Sequence, residues 1–299
     1  MLSNTIGWRT AVFTSLALVA FAANSLFNRA AFAASGIDAG SFAVIRLASG
    51  ALALALISWT RGALRASLRG GSWQAGAMLF AYAAAFSYAY ISLSVGTGAL
   101  ILFAAVQITM LLAALRLGEK VTARQWAGLA LAFAGLGVLL FPGLTAPSPG
   151  PAALMATAGV AWGIYSLLGR QSASPLSDTA ANFMRSLPFA AVLGLAIAGR
   201  SHITTPGVTY ALLSGVVASG LGYSIWYMAL RGLSAAQAAI VQLLVPVLAS
   251  IAGVLFLREA VTGRLSLSTA MILGGVALAI ATHKGRSSRT NLDGSPGPP

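Results

Sequence analysis

Long apolar runs alternate with short polar connections from near the N-terminus to about residue 282. A helix needs about 20 largely apolar residues to cross the hydrocarbon core of a bilayer. The pattern therefore predicts an all-α polytopic membrane protein with ten transmembrane helices. The predicted spans are 10–34, 39–59, 73–92, 98–117, 124–141, 152–170, 179–198, 207–230, 235–257 and 264–282. The longest connections, 60–72 and the proline-rich 142–151, are too short to form a soluble domain.

Basic residues at the ends of the runs predict the orientation. If the N-terminus is cytoplasmic, twelve Lys and Arg residues fall on the cytoplasmic side and three on the other. Short cytoplasmic loops carry an excess of Lys and Arg, so we expect both termini in the cytoplasm. The remaining three basic residues, Arg29, Arg46 and Arg185, fall within apolar runs.

The composition agrees with a membrane protein. Apolar residues make up 58% of the 299 residues, charged residues 8%, and the mean hydropathy is +0.85. A soluble domain carries about 25% charged residues. The net charge of +13 lies mostly at span ends rather than in a basic stripe, which argues against nucleic-acid binding. With no cysteine, the chain has no disulfide, thiolate or cysteine-metal chemistry.

An internal repeat appears when the sequence is shifted by 140 positions. Five identities fall within eight positions: Leu117 with Leu257, Glu119 with Glu259, Val121 with Val261, Thr122 with Thr262, and Arg124 with Arg264. Each repeat unit contains five predicted spans, and an odd number of spans makes the second unit enter the membrane inverted. We therefore expect two inverted five-helix units, 1–143 and 144–284, followed by a disordered cytoplasmic tail, 285–299.

The recurrent residues resemble those of a known family. An Arg lies in the second span of each unit, a Leu-x-Glu ends each fourth span, and a Gly lies in each fifth span. These residues are Arg46 and Arg185, Glu119 and Glu259, and Gly135 and Gly275. Over residues 8–283 the chain resembles the EamA family of the drug/metabolite transporter superfamily. Its aromatic-rich third and eighth helices are similar to those of YddG-type amino-acid exporters in that family.

Aromatic and amide side chains are the candidates for a substrate site. Tyr and Trp offer apolar contact area with one hydrogen-bond donor, and amides orient a polar head group. The predicted substrate-binding residues are Asn24, Tyr82, Phe86, Gln107, Trp162, Tyr165, Tyr223, Tyr227 and Gln242. Such a cavity suits a small amphiphile with an apolar or aromatic side chain. The alternative is that these aromatics pack between helices or form interfacial belts.

A second set of residues is assigned to gating or to structure. It comprises Asp38, Arg46, Glu119, Asp178, Arg185, Pro246 and Glu259. The favoured interpretation of the two arginines is structural, by snorkelling or capping of loop carbonyls. The alternative is a gate or tether through Asp38 and Asp178. The glutamates are assigned to local hydrogen bonds in interhelical turns, with gating as the alternative, and Pro246 predicts a bend in its span. The equivalent position in the first unit is Val106, a departure from the family pattern.

All five acidic residues fall at span ends or in the tail, away from the positions that proton relays occupy in membrane helices. This favours facilitated diffusion, or coupling through peripheral groups, and argues against an enzyme, a metal site or a cofactor. The predicted core holds no lysine, which argues against phosphate-bearing substrates.

Together with the resemblance, these features predict a secondary transporter that exports small metabolites by alternating access across a bacterial inner membrane. Amino acids, including aromatic and other hydrophobic ones, are the favoured substrates. The expected partners are this small molecule and the lipid bilayer, with no nucleic acid and no obligate protein. The alternatives are a multidrug or other metabolite carrier on the same scaffold and a non-transporting membrane scaffold protein.

Overall fold

The structure is a computed structural model that describes residues 7–34, 36–116, 123–141, 146–170, 172–233, 238 and 241–280. Helices make up the regular structure of these residues. They are α1 (Trp8–Ala34), α2 (Ala39–Thr60), α3 (Leu64–Arg69), α4 (Trp73–Ala89), α5 (Val95–Arg116), α6 (Ala123–Leu140), α7 (Pro149–Gly169), α8 (Pro175–Ile197), α9 (Thr205–Leu212), a π-helical segment (Leu213–Leu221), α10 (Gly222–Leu230), α11 (Leu244–Leu257) and α12 (Gly263–Ile280).

Among the described residues, six helical stretches are long and apolar enough to cross a membrane. They are Trp8–Ala33, Ala39–Thr60, Val95–Ala113, Pro149–Gly169, Pro175–Ile197 and Thr205–Leu230. Shorter apolar helices, Trp126–Leu139 and Leu244–Leu257, accompany them. The chain is therefore a multi-pass, all-helical membrane protein.

Large apolar side chains on the outer surface point to the same environment. Leu52, Val192, Leu195, Leu255 and Phe256 are each at least two-thirds exposed. So many exposed large apolar side chains are unusual on a soluble monomer, whereas lipid tails are as apolar as these side chains. The outer face of the helices is thus suited to contact lipid.

The helices pack in a pattern that repeats when the two halves of the chain are exchanged. In chain order, and leaving out the short α3, the helices α1, α2, α4, α5 and α6 correspond to α7, α8, the stretch from α9 to α10, α11 and α12. The contact of α4 with α7 has its counterpart in that of α10 with α1, and the contact of α5 with α7 in that of α11 with α1. Corresponding helices also pack directly on each other: α2 on α8, α5 on α11 and α6 on α12.

Two local features differ from the sequence prediction. The connection 60–72 contains the short helix α3, where Ser67 Oγ donates to Ser58 Oγ at 2.9 Å and attaches α3 to the end of α2. The span 207–230 is helical throughout but is not a regular α-helix, because the π-helical segment occupies its middle. The predicted start of the span 235–257 and the tail lie largely outside the described residues.

Glycines on the π-helical segment permit its close approach to α2. A Cβ at Gly215 would overlap the backbone carbonyl oxygen of Arg46 and the Ser49 side chain. A Cβ at Gly50 would lie 2.9 Å from the Gly215 carbonyl oxygen and 2.5 Å from the Phe183 ring. The two helix backbones can therefore meet only because these positions carry no side chain, and this contact brings Arg46 beside the segment.

Candidate functional site

A charged side chain lies at the centre of the helix bundle. Arg46, on α2, is only 1% exposed. Its Nε donates to Ser219 Oγ at 3.0 Å and its Nη2 donates to Tyr223 Oη at 2.6 Å. The guanidinium also lies over the rings of Tyr82 and Phe86, 5.1 and 5.2 Å from their centroids. Such cation–π contacts stabilise a cation that has been removed from water.

An asparagine and two tyrosines continue this network. Asn24 Nδ2 donates to the hydroxyls of Tyr82 and Tyr223, both at 3.1 Å. The Tyr223 hydroxyl donates to that of Tyr82 at 3.2 Å. We call Asn24, Arg46, Tyr82, Ser219 and Tyr223 the central cluster; its members are all at most 4% exposed. Asn24, Arg46 and Tyr82 come from the first half of the chain, and Ser219 and Tyr223 come from the second.

A second set of polar side chains orients the asparagine. Ser214 Oγ donates to Asn24 Oδ1 at 2.5 Å, and Asn28 Nδ2 donates to the Asn24 carbonyl at 2.9 Å. Ser87 Oγ in turn donates to Asn28 Oδ1 at 3.0 Å. Because its oxygen already accepts from Ser214, Asn24 presents its NH2 group to the two tyrosines.

The sequence prediction missed four of these polar residues: Asn28, Ser87, Ser214 and Ser219. Asn28 had a usable signal, since it follows Asn24 by one helical turn in an otherwise apolar run. Ser214 and Ser219 had none. Residues five apart on an α-helix are separated by roughly 140°, and these two share a face only because π-helical hydrogen bonds span five residues.

Aromatic side chains enclose one side of the central cluster. The Trp162 ring lies 4.6 Å from that of Tyr223 and 5.1 Å from that of Tyr82, and it stacks on Tyr165 at 5.4 Å between centroids. Tyr165 continues to Tyr227 at 5.3 Å. Phe21 contacts Trp162 edge-on at 5.3 Å. These rings are at most 6% exposed, so the site is closed to solvent in this structure.

Most of the predicted substrate-binding residues lie together at this site. We call Phe21, Trp162, Tyr165 and Tyr227 the aromatic wall. Trp162 Nε1 donates to Gln242 Oε1 at 3.2 Å, so the buried Gln242 lies against this wall. Phe86 contacts Tyr82 at 5.1 Å between centroids. Gln107 lies on α5 and is half-buried.

The two span arginines, predicted as a matched pair, lie in different environments. Arg185 Nη1 donates to the Gly70 carbonyl at 2.5 Å, and its Nη2 donates to that of Leu68 at 3.4 Å. On the same helix, Asp178 accepts from the Gly71 amide at 2.9 Å and Asn182 accepts from the Ser72 amide at 3.0 Å. One face of α8 therefore holds the α3–α4 connection. This structural role of Arg185 differs from the buried, cluster-forming position of Arg46.

Asp38 begins α2 and joins it to the segment before α9. Its carboxylate accepts from the amides of Ser41 and His202, both at 2.8 Å. Burial by itself raises the pKa of Asp38, but the hydrogen bonds from Ser41 and His202 favour the charged form and hold the pKa below its usual value.

Glu259 joins the segment after α11 to the first half of the chain. Its carboxylate accepts from the Val95 amide, at 2.8 Å for the nearer oxygen, at the start of α5. It also lies 3.6 Å from Arg29 Nε, and Arg29 Nη1 donates to the Ile91 carbonyl at 2.9 Å. Burial raises the pKa of Glu259, which outweighs the lowering by Val95 and Arg29. Pro246 is buried near the start of α11, and Glu119 lies outside the described residues.

The central cluster offers one cation, amide and hydroxyl groups, and aromatic faces. Within the described ranges, no group of three or more His, Cys, Asp or Glu side chains could hold a metal ion.

Comparisons with known proteins agree with the architecture. The chain matches the model of the EamA-like transporter family twice, over residues 8–141 and 151–281. It is 52% identical over 281 residues to the uncharacterized protein PA1977 of Pseudomonas aeruginosa, a match that covers 94% of this chain and 98% of that protein. A protein crystal structure with 21% sequence identity superposes with a TM-score of 0.64 over 92% of this chain and 99% of the other, which shows a shared fold. The two family matches cover nearly the whole chain, which therefore belongs to the EamA-like transporter family, a group of membrane transporters in the drug/metabolite transporter superfamily.

Proposed function

We propose that this protein is a secondary transporter that exports small metabolites, principally amino acids with aromatic or other hydrophobic side chains, across a bacterial inner membrane. The observation that carries the proposal is the central cluster. Its hydrogen bonds from Arg46 and Asn24 to Tyr223 run between the two halves of the chain. A ligand bound there would contact both halves at once.

The proposed architecture is ten spans in two inverted five-helix units, 1–143 and 144–284, with the tail 285–299 and both termini in the cytoplasm. The exchange symmetry of the helix contacts supports two equivalent units. The excess of basic residues on one side supports the orientation. In inverted-repeat transporters, one unit moves against the other around a site at the membrane midplane, which gives alternating access.

The aromatic wall supports an amphiphilic substrate. Trp162, Tyr165 and Tyr227 offer ring faces, while Asn24 and the tyrosine hydroxyls offer hydrogen bonds to a polar head group. An amino acid with an aromatic side chain combines both requirements.

Counterflow in proteoliposomes, with a panel of labelled amino acids at several imposed pH gradients, tests this function. We expect saturable flux of aromatic amino acids, and a loss of about tenfold or more in kcat/KM for Trp162→Ala or Tyr223→Ala, because each removes a buried ring. Gly137→Ala is the matched control, since its added methyl group would meet nothing within 4 Å.

The results separate the alternatives. Flux of unrelated drugs without flux of amino acids would favour a multidrug carrier. Absence of saturable flux for the whole panel would favour a non-transporting scaffold. Dependence of flux on the pH gradient would show proton coupling, whereas equal rates at all gradients would show facilitated diffusion.

A further inference from the structure

Arg46 carries a positive charge that no acidic side chain neutralises among the residues that the structure describes. The described acidic residues are Asp38, Asp178 and Glu259, and each lies at a helix end with other partners. An arginine stays protonated in proteins, and a buried charge without a counter-ion is strongly unfavourable. The rings of Tyr82 and Phe86 stabilise the cation but contribute no negative charge.

One edge of the guanidinium makes no hydrogen bond, in this closed arrangement, to the part of the chain that the structure describes. Nε and Nη2 donate to Ser219 and Tyr223, whereas Nη1 is fully buried and has no hydrogen-bond partner among the described residues. Buried polar atoms are nearly always satisfied in native proteins, so an orphaned donor calls for an explanation. Since two donors already fix the plane of the guanidinium, the direction of the free N–H groups is fixed as well.

We propose that the Arg46 Nη1 edge binds the carboxylate of the transported substrate, so that the site accepts monoanionic or zwitterionic carboxylates and rejects cationic amphiphiles. This inference rests on the proposed transport function and adds the substrate class. A guanidinium edge matches the geometry of a carboxylate and forms charge-assisted hydrogen bonds. The bound carboxylate supplies the missing negative charge. The guanidinium lies over the Tyr82 ring, which in turn contacts Trp162, so aromatic rings adjoin the proposed carboxylate site.

The charge balance also distinguishes carboxylates from phosphates. Among the described residues, Arg46 is the cation that is fully buried. Arg185 instead donates to loop carbonyls, and Arg29 is paired with Glu259. A phosphate monoester carries nearly two negative charges at neutral pH. One guanidinium would leave part of that charge unpaired, whereas a carboxylate matches it one to one.

Four phenyl compounds that differ only in their charged groups provide the test. They are phenylalanine, 3-phenylpropionate, phenylalanine amide and phenethylamine. Each is measured as an inhibitor of counterflow and, separately, as a stabiliser in thermal melts of the detergent-solubilised protein. We expect phenylalanine and 3-phenylpropionate to bind at least about tenfold more tightly than the amide and the amine. Charge-assisted hydrogen bonds are stronger than neutral ones, and only the carboxylates can offer Arg46 a charged acceptor.

Variants of Arg46 complete the design. Arg46→Gln should remove the preference for carboxylates, and Arg46→Lys should retain part of it because the charge remains. Arg185→Gln is the matched control, and the preference should persist there. The wild-type compound series gives an answer even if a variant of Arg46 fails to fold.

The outcomes separate this inference from the transport function. Flux with equal binding of carboxylates, amide and amine would overturn the role of Arg46 and leave the transporter standing. Carboxylate binding that depends on Arg46 without any flux would support the site and contradict transport. If no carboxylate binds or inhibits, the inference is wrong.

Discussion

Arg46 and Arg185 illustrate how far a single residue can be interpreted from its place in a sequence. Both lie within the second span of a repeat unit, each after an Asp that precedes the span, so the sequence offers no reason to separate them. Their neighbours separate them. Arg46 lies beside the glycine contact between α2 and the π-helical segment, whereas Arg185 lies beside the backbone of Gly70. Arg46 is a buried cation with one donor that lacks a partner among the described residues, whereas Arg185 attaches a loop to α8. Only the packing of the helices distinguishes these two positions.

Asp38 provides a prediction at a helix end. Asp38→Ala should lower the unfolding free energy by about 1 kcal/mol, since an N-cap acceptor of the Ser41 amide is lost. Asp38→Asn should lower it less, because the Asn oxygen can still accept that hydrogen bond. Denaturant unfolding in detergent measures both, and equal losses in the two variants would contradict the capping interpretation.

The same carboxylate predicts a pH dependence. Because the pKa of Asp38 is lowered in the folded protein, its stabilisation is complete above the ordinary carboxyl pKa of about 3.9 and is lost as the pH falls through the folded value. The difference in stability between wild type and Asp38→Asn should therefore shrink below about pH 4. Melting temperatures of the two proteins from pH 7 to pH 3 provide the measurement, and a constant difference would argue against an ionised Asp38.

The helices were largely predictable because the length and hydrophobicity of a span are one-dimensional properties. The exceptions are α3 and the π-helical segment. The α3 sequence is a short, arginine-rich stretch without an apolar run, so it carries no signal of a membrane span. The π-helical segment is apolar and glycine-containing, like an ordinary span. It meets α2 closely at Gly215, and sequence periodicity does not report such a contact.

Gly215→Ala tests whether that contact positions the site. An added methyl group would overlap the Arg46 carbonyl oxygen and push α2 away from the π-helical segment. We expect a destabilisation of about 1–3 kcal/mol from overpacking and a clear loss of transport, because Ser219 and Arg46 would separate. Gly274→Ala is the control, since nothing lies within 4 Å of its added methyl group. Equal transport by the two variants would show that the contact is not needed.

The two halves of the chain are held together at their ends as well as at the central cluster. Asp38 joins the start of α2 to the His202 amide, and Glu259 joins the segment after α11 to Val95 and Arg29. In the proposed topology, both junctions lie on the outer side of the membrane. A transporter that alternates must break such junctions when it opens to that side, so they are candidates for the outer gate.

The raised pKa of Glu259 predicts how this candidate gate would respond to pH. Because burial raises its pKa, Glu259 takes up a proton at a higher pH than a free glutamate does, and the ion pair with Arg29 is then lost. Glu259→Gln imitates the protonated form. Opening to the outer side should therefore be more frequent in Glu259→Gln, and in wild type when the external medium is acidified.

The absence of native cysteine makes this opening measurable. Ser25→Cys places a reporter at a buried position on α1, four residues before Arg29. A membrane-impermeant maleimide should label it slowly in wild type and several times faster beside Glu259→Gln. Labelling of Ser201→Cys, at an exposed position, corrects for the effect of pH on thiol reactivity. Unchanged relative labelling would show that the Glu259 junction does not control access.

The sequence by itself determined the membrane environment, the approximate spans and the repeated family pattern. These follow from local hydrophobicity and from residue identities at fixed spacing, both of which survive in one dimension. It also named most of the aromatic wall, since large rings and amides stand out in an Ala- and Leu-rich chain. Only the tertiary structure decided that Arg46 belongs to the central cluster, that Ser214 and Ser219 share a face, and that Arg185 holds a loop. Each of these depends on the approach of helices from different halves of the chain, a contact between residues about 170 positions apart in the case of Arg46 and Ser219.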